Sequence, residues 1–155
     1  MEVNETKKLF LKEELPRLLM QLDGQAHSHW GLMNGQQMVE HLVDAVMIAS
    51  GKWKLPMVNQ GERLEKLRAF MQTEDPFKEN TKNPLLGDLP SPLRKANMKE
   101  AIRKLKEELD YFFKVFQENP SLITSNPIFG ELDWAMNIQL LHKHAIHHLR
   151  QFGLP

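Results

Sequence analysis

The chain has 155 residues, of which 26% are charged and 41% hydrophobic, an ordinary globular composition that excludes disordered and membrane-embedded classes. One domain is expected over residues 1–155, long enough to bury roughly 70% of the surface that the unfolded chain exposes. The 20 basic and 20 acidic residues give a formal net charge of zero, so there is no electrostatic case for binding nucleic acid or an anionic membrane. Because cysteine is absent, any metal site must use nitrogen and oxygen ligands.

The N-terminal stretch MEVNETKKLFLKEELPRLL does not have the pattern of a signal peptide. Charges interrupt its apolar positions, and it lacks the apolar core of a signal peptide. No run in the chain approaches the roughly 18 apolar residues of a membrane-spanning helix. The cytoplasm is therefore the expected location.

Helical periodicity dominates the first half of the chain. A first helix is expected over residues 4–22, with Pro16 bending or interrupting it. Its apolar face would consist of Leu9, Phe10, Leu15, Leu18, Leu19 and Leu22. Residues 23–31 form a turn-rich connector, and a second helix is predicted from the N-cap residue Asn34 to a stop near Gly51.

The middle of the chain predicts a short helix and a long loop. GERLEKLRAFMQT, residues 61–73, has the pattern of the short helix. Residues 73–92 are dense in Pro, Gly, Asn and Asp, and a loop of that length is either a lid over a site or a connector.

Two long helices are predicted after this loop. The first is strongly amphipathic and ends before Pro120, the stretch ITSNPIFG is a loop, and the final helix runs from about Asp133 to Phe152. Together the elements predict an all-α fold, an antiparallel four-helix bundle with long loops before the third and fourth main helices.

Four of the seven histidines lie within seven positions of the final helix, at 142, 144, 147 and 148. With about 100° of rotation per residue, His144 and His148 lie one above the other at one border of the apolar face. His142 falls at the opposite border, and His147 turns outward from the row. The pair at His144 and His148 can therefore reach the interior together, and the other two do not share its direction.

A fifth histidine, His41, stands at the border of the apolar face of the second helix. Two imidazoles at i and i+4, with a third from a facing helix, complete the three-ligand pattern of a catalytic metal with an open position. The alternatives are a surface cluster that binds metal adventitiously and ordinary partly buried side chains. The zinc protease motif does not apply, because Ala145 follows His144 where that motif needs a glutamate.

Two stretches of sequence carry a family resemblance. The first combines Trp30-Gly31-Leu32-Met33 with Gln37-Met38-Val39-Glu40-His41-Leu42. The second combines Phe129-Gly130-Glu131-Leu132 with His144 and His147-His148-Leu149-Arg150-Gln151-Phe152-Gly153. The chain in this respect resembles the DinB/YfiT-like superfamily of four-helix, metal-dependent proteins, specifically its branch that ends in HxxxHHLRQFG. The match spans most of the chain, and the terminal motif is its specific part.

The resemblance implies that His41, His144 and His148 bind a divalent metal ion, and these are the three histidines that helical rotation selects. Zinc or nickel is the ion common in the family, with water in the open positions. Three neutral imidazoles are also compatible with iron or manganese.

The chain departs from the pattern of this branch at two positions. Asn126 stands before Pro127, where the branch often has a histidine, and Asn137 stands where a tryptophan is usual. Asparagine cannot replace imidazole in proton transfer, which argues against an acid–base role at the loop position. Catalytic residues are therefore unassigned.

Three polar residues could orient the ligand rings from behind. Gln37 and Asp44 lie about one turn either side of His41, and Gln151 lies about one turn after His148. The alternative for each is a solvent-facing helix residue, which is the preferred interpretation for Asp44.

Other residues near the motifs have simpler interpretations. Trp30, Met33 and Met38 either line a pocket or belong to the core, and residues of these types are more often core. His27 and His29 lie in the predicted connector, which favours surface positions.

Two classes of function agree with the sequence. The first is a metal-dependent enzyme, transferase-like or hydrolase-like, that activates a water or a low-molecular-weight thiol. Because the superfamily includes thiol-dependent transferases and isomerases, the resemblance points to low-molecular-weight thiol chemistry at least as much as to hydrolysis. The second is a non-catalytic, metal-binding structural or stress-associated bundle. A homodimer is an expectation from the family.

Overall fold

The computed structural model describes residues 2–79 and 90–154, and within these ranges the chain is mostly helical. Helix α1 (Glu5–Leu9) continues through a π-helical turn (Phe10–Glu14) into α2 (Leu15–Leu19). This wide turn ends two residues before Pro16, which has no N–H to donate and whose ring crowds the preceding turn of a regular α-helix. The predicted interruption at Pro16 is therefore present as a π turn.

The π turn also changes which residues of the first helical segment are buried. Leu11 is 1% exposed, whereas Leu9 is 53% exposed, so the prediction that Leu9 lies on the apolar face is wrong. A π turn adds a residue to one turn, which rotates the preceding residues by about 100° relative to α2. Leu15, Leu18 and Leu19 are buried as expected.

Helix α3 (Gly35–Ala49) begins and ends where the sequence predicts. The side chain of Asn34 accepts a hydrogen bond from the Gln37 backbone N–H at 2.8 Å, and Gln37 Oε1 accepts one from the Asn34 N–H at 2.9 Å. This reciprocal capping box satisfies two backbone donors at the helix start. After the helix, Gly51 has a φ of 83°, a left-handed conformation that glycine adopts without strain.

The remaining helices are α4 (Gly61–Met71), α5 (Met98–Glu118) and α6 (Trp134–Gln151). Asn97 and Asp133 cap the starts of α5 and α6 through their side chains. These bounds agree with the predicted helices. Residues 80–89 of the predicted loop at 73–92 lie outside the described residues, so the choice between a lid and a connector remains a prediction.

A small hairpin replaces the loop that the sequence predicts at ITSNPIFG. Strands β1 (Thr124–Asn126) and β2 (Gly130–Leu132) pair antiparallel, with Ser125 opposite Glu131. The Asn126 side-chain oxygen accepts hydrogen bonds from the backbone N–H groups of Ile128 and Phe129, at 2.9 and 3.0 Å. This asparagine closes the turn and brings the two short strands together.

The largest hydrophobic cluster lies where α3, α5 and α6 meet the N-terminal helices. Its members of lowest exposure come from the π turn, α2, α3, α5 and α6 and include Leu11, Leu19, Met38, Leu105, Phe112, Phe116, Ile138 and Leu149. A second, smaller cluster joins the end of α4 to β2 and the first half of α6. In the described ranges, no helix is both long and apolar enough to cross a membrane.

Replacing Phe112 with alanine is expected to lower the free energy of unfolding by about 3–5 kcal/mol, because Phe112 is fully buried and its removal leaves a cavity. Lys114→Ala, at an exposed position of the same helix, should change it by no more than about 0.5 kcal/mol. Chemical denaturation of both variants measures the difference. Equal destabilisation would contradict the proposed burial of this face of α5.

Candidate metal centre

Three histidines from two helices converge at one point. His41 lies in the middle of α3, and His144 and His148 lie on successive turns near the end of α6. The Nε2 atom of His144 is 2.9 Å from the Nε2 atoms of both His41 and His148. One possible ligand atom from each of the three side chains lies within 4.8 Å of the others. The structure thus brings together the three residues that the sequence selects.

The hydrogen bonds of Gln151 fix the tautomer of His148. Gln151 Nε2 donates to the Trp30 carbonyl at 2.8 Å, so the amide oxygen is the atom that faces His148 Nδ1 at 2.7 Å. An amide oxygen only accepts, so Nδ1 must carry the proton. In the neutral ring Nε2 then holds a lone pair, which faces the other two histidines.

Burial keeps these three rings neutral. It lowers the pKa of His41 to about 4, with Asp44 opposing the shift and His147 and Arg94 adding to it. Burial lowers the pKa values of His144 and His148 well below the usual range, and the other histidines of the cluster contribute to both shifts. Neutral imidazoles are the form that binds a metal ion.

Three neutral rings cannot satisfy both short contacts with their own protons. His148 Nε2 has no proton, so its contact is a hydrogen bond only if His144 Nε2 donates. If His144 donates towards His148, it cannot also donate a linear hydrogen bond to His41. If His41 donates to His144 instead, two lone pairs face each other between His144 and His148 at 2.9 Å. A cation among the three nitrogens would satisfy all of them.

Among the described residues, the side chains of Gln37 and Asp44 form their hydrogen bonds with residues other than the three clustered histidines. The Gln37 side-chain oxygen completes the capping box of α3, and its Nε2 donates to the Ser91 carbonyl at 3.4 Å. Asp44 accepts two hydrogen bonds from the Arg94 guanidinium, at 2.8 and 3.1 Å. Asp44 acts on His41 through its charge, which raises the pKa of His41.

The other two histidines of α6 lie outside the cluster, as predicted. His142 packs edge-on against Phe10, with ring centroids 5.1 Å apart. His147 differs from the outward orientation expected for it, since it is half-buried and lies 5.7 Å from the Trp30 ring and 5.9 Å from the Phe77 ring. Burial lowers the pKa of His147, and a hydrogen bond with the Phe77 backbone opposes that shift.

The residues of the first motif divide between the core and the surface. Met38 is fully buried and Met33 packs against the same core from a partly buried position. Trp30 is half-buried and contributes its carbonyl to Gln151. His27 and His29 are exposed, as expected.

Asn126 and Asn137, where the sequence departs from the pattern that it otherwise resembles, both have backbone partners. Asn126 closes the hairpin turn. Asn137 is 1% exposed, and its Nδ2 donates to Thr124 Oγ1, the Leu132 carbonyl and the Asp133 carbonyl at 3.0–3.3 Å. Asn126 thus shapes the hairpin turn, and Asn137 holds the hairpin against the start of α6.

Sequence reasoning missed a buried charge beside His41. Glu40 is 4% exposed and accepts hydrogen bonds from the backbone N–H groups of Arg94 and Lys95 at 2.7 and 3.3 Å, and from Gln36 Nε2 at 3.0 Å. The residues that satisfy Glu40 from outside α3 are 54 and 55 positions away in sequence. A glutamate at a helical core position was the one signal available, and it could not identify these partners.

Comparison with family models and curated proteins identifies no relative of the chain. No family model matches the chain, and no curated protein matches it. Fold and geometry alone thus define a mostly helical protein with a cluster of three histidines that could hold a metal ion.

The metal-free protein is expected to lose stability as the pH falls from about 6.5 to 4. An unfolded histidine titrates near 6.5, whereas folded His41 has a pKa of about 4, so the unfolded chain binds more protons in this window. The contribution is fully present above pH 6.5 and is lost as the pH falls towards 4, by up to about 3 kcal/mol for His41.

Denaturation of wild type and His41→Gln with a chelator at pH 7.5, 6 and 5 measures this effect. The free energy of unfolding of His41→Gln should fall less steeply with decreasing pH. Acidic residues titrate equally in both proteins, so they cancel in the comparison. Parallel pH profiles would contradict the burial of a neutral His41.

Proposed function

We propose that this chain is a single-domain, DinB/YfiT-like metal-binding protein whose main helices form an antiparallel four-helix bundle. His41, His144 and His148 hold one divalent ion, zinc or nickel, with iron or manganese as further candidates. The observation that carries this proposal is the convergence of three neutral imidazoles whose Nε2 contacts of 2.9 Å cannot both be hydrogen bonds. Nitrogens that bind one ion at about 2.0–2.1 Å, with angles of about 90–110° between the bonds, lie about 2.9–3.4 Å apart.

The meeting of the two motif stretches supports the family proposal. The His29 backbone N–H donates to the Gln151 carbonyl at 2.7 Å, and Trp30 accepts from the Gln151 side chain. The WGLM and HHLRQFG stretches therefore touch each other beside the histidines, although they are more than a hundred residues apart. Such a meeting gives a physical reason for both motifs to occur in one protein.

The chain acts as a metal-dependent enzyme, transferase-like or hydrolase-like, on a water or a low-molecular-weight thiol. A divalent ion with an open position lowers the pKa of either group, so that a nucleophile is present at neutral pH. Among the described residues, the cluster holds three histidines and no carboxylate, which favours an open position over a closed structural site. The chain has no cysteine, so a thiol must come from a second substrate.

A non-catalytic role is the second candidate, and one observation favours it. The ligands come from both α3 and α6, so a bound ion would link two helices that are far apart in sequence. An ion present at 100 times its dissociation constant would stabilise the fold by about 2.7 kcal/mol. In this reading the protein is a metal-stabilised, stress-associated bundle, assembled as a homodimer.

Elemental analysis of untagged protein tests the metal site. Wild type and His142→Ala are expected to hold one divalent ion per chain, and His148→Ala to hold none. His142 is the matched control, because it lies on the same helix and outside the cluster. Loss of the ion from both variants, or from neither, would contradict the assignment.

Spectroscopy of cobalt-substituted protein separates the two functions. If the ion has an open position, addition of a small thiol should change the visible absorption of wild type and of His142→Ala to the same extent. An unchanged spectrum, together with a higher melting temperature on metal binding, would support the non-catalytic bundle. Turnover assays with thiols, esters and electrophiles then identify the reaction.

A further inference from the structure

Gln151 connects a candidate metal ligand to a distant loop of the chain. One end of its amide accepts from His148 Nδ1, and the other end donates to the Trp30 carbonyl. The side chain is 4% exposed, so water does not readily replace either partner. The Trp30 carbonyl thus sets the orientation of the Gln151 amide, and that orientation determines which atom faces His148 Nδ1.

The loop of residues 28–31 leaves room for the Gln151 amide to approach its backbone. Gly31 has a φ of 82°, and a Cβ at this position would lie 2.7 Å from Gln151 Nε2. Gly153, with a φ of 72°, leaves room for the His29 ring in the same way, since a Cβ there would lie 2.9 Å from His29 Cε1. The Ser28 hydroxyl donates to the Gly31 carbonyl at 3.1 Å and closes the turn. At both positions glycine adopts the positive φ without strain and leaves room for the neighbouring side chain.

We propose that Gln151 is a positioning residue through which the loop of residues 28–31 sets the tautomer of His148 and the metal affinity of the site. This inference rests on the proposed metal-binding function. Without an acceptor at Nδ1, His148 would be free to move its proton to Nε2, the atom that must be unprotonated to bind the ion. Partners of this kind typically change metal affinity by 10–100-fold when they are removed.

Coupling of this kind acts in both directions. If the loop contact raises the affinity for the metal, then bound metal must stabilise the loop contact by the same factor. Metal binding should therefore slow amide hydrogen exchange in residues 28–31. A purely structural glutamine would not transmit this effect.

The chain offers a matched control for each half of the contact. Gln139 is also a buried glutamine on α6, 6% exposed, and it donates to the carbonyls of Met71 and Thr73 rather than to a ligand. Gly51 has a φ of 83°, so Gly51→Ala, like Gly31→Ala, places a side chain at a positive φ. The nearest atom to a Cβ at Gly51 is the methyl group of Thr124, at 3.4 Å, and not an atom of the candidate site.

The first test is nitrogen-15 NMR of the histidine side chains in the metal-free protein. We expect the Nδ1–H tautomer of His148 in wild type, in Gln139→Met and in Gln151→Glu, whose carboxylate still accepts from Nδ1. Gln151→Met should shift the population towards Nε2–H. A wild-type Nε2–H tautomer, or no change in Gln151→Met, would overturn the proposal.

The second test is the affinity for zinc, measured by competition with a chelator. Gln151→Met should weaken binding about 10–100-fold relative to Gln139→Met, and Gly31→Ala should weaken it relative to Gly51→Ala. Zinc should slow exchange at residues 28–31 in wild type and not in Gln151→Met. Equal affinities within each pair would overturn the proposal.

The outcomes separate this inference from the proposed function. If wild type binds no metal, the proposed function fails, and the tautomer measurement still decides the role of Gln151. If wild type binds metal and both matched pairs behave alike, the metal site stands and the positioning role is wrong.

Discussion

The rest of the structure depends on one constraint, the burial of three uncharged imidazoles with their Nε2 atoms facing each other. Burial alone would be satisfied by apolar side chains in the same place. Lone pairs that face each other at 2.9 Å repel unless a proton or a cation lies between them. Helices α3 and α6 must therefore be held firmly enough to keep these nitrogens together, and the packing around the cluster holds them in that position.

Buried polar contacts outside the cluster hold in place the two helices that carry the three histidines. Glu40, next to His41, binds two successive backbone N–H groups before α5. On α6, Lys143 is 7% exposed beside His144 and donates to the carbonyls of Phe70 and Thr73 at the end of α4. Each helix thus carries a charged residue adjacent to a ligand, and that residue fixes a segment distant in sequence. Such contacts favour one arrangement of the helices, because moving either helix would leave a charge buried without a partner.

The sequence predicts the candidate site better than it predicts the surrounding loops. His41, His144 and His148 are found by rotation along regular helices, where position follows directly from spacing. Leu9 lies on the surface and not on the apolar face because a π turn before Pro16 changes that rotation, and helical periodicity does not reveal such a turn. The hairpin at Asn126 and the pairing of Glu40 with Arg94 depend on contacts between distant segments, which no local pattern contains. Gln151 was identified by its spacing, but its partner Trp30 was not.

The charge of the donor set bears on the chemistry that the site favours. A carboxylate or thiolate ligand would offset part of the charge of a divalent ion. Three imidazoles kept neutral by burial offset none of it. Asp44, the carboxylate whose charge raises the pKa of His41, is already paired with Arg94, so its charge is largely compensated. In the proposed site, a bound divalent ion would therefore keep its full charge to act on a water or a thiol in an open position, which favours acidifying that group over holding a closed structural ion.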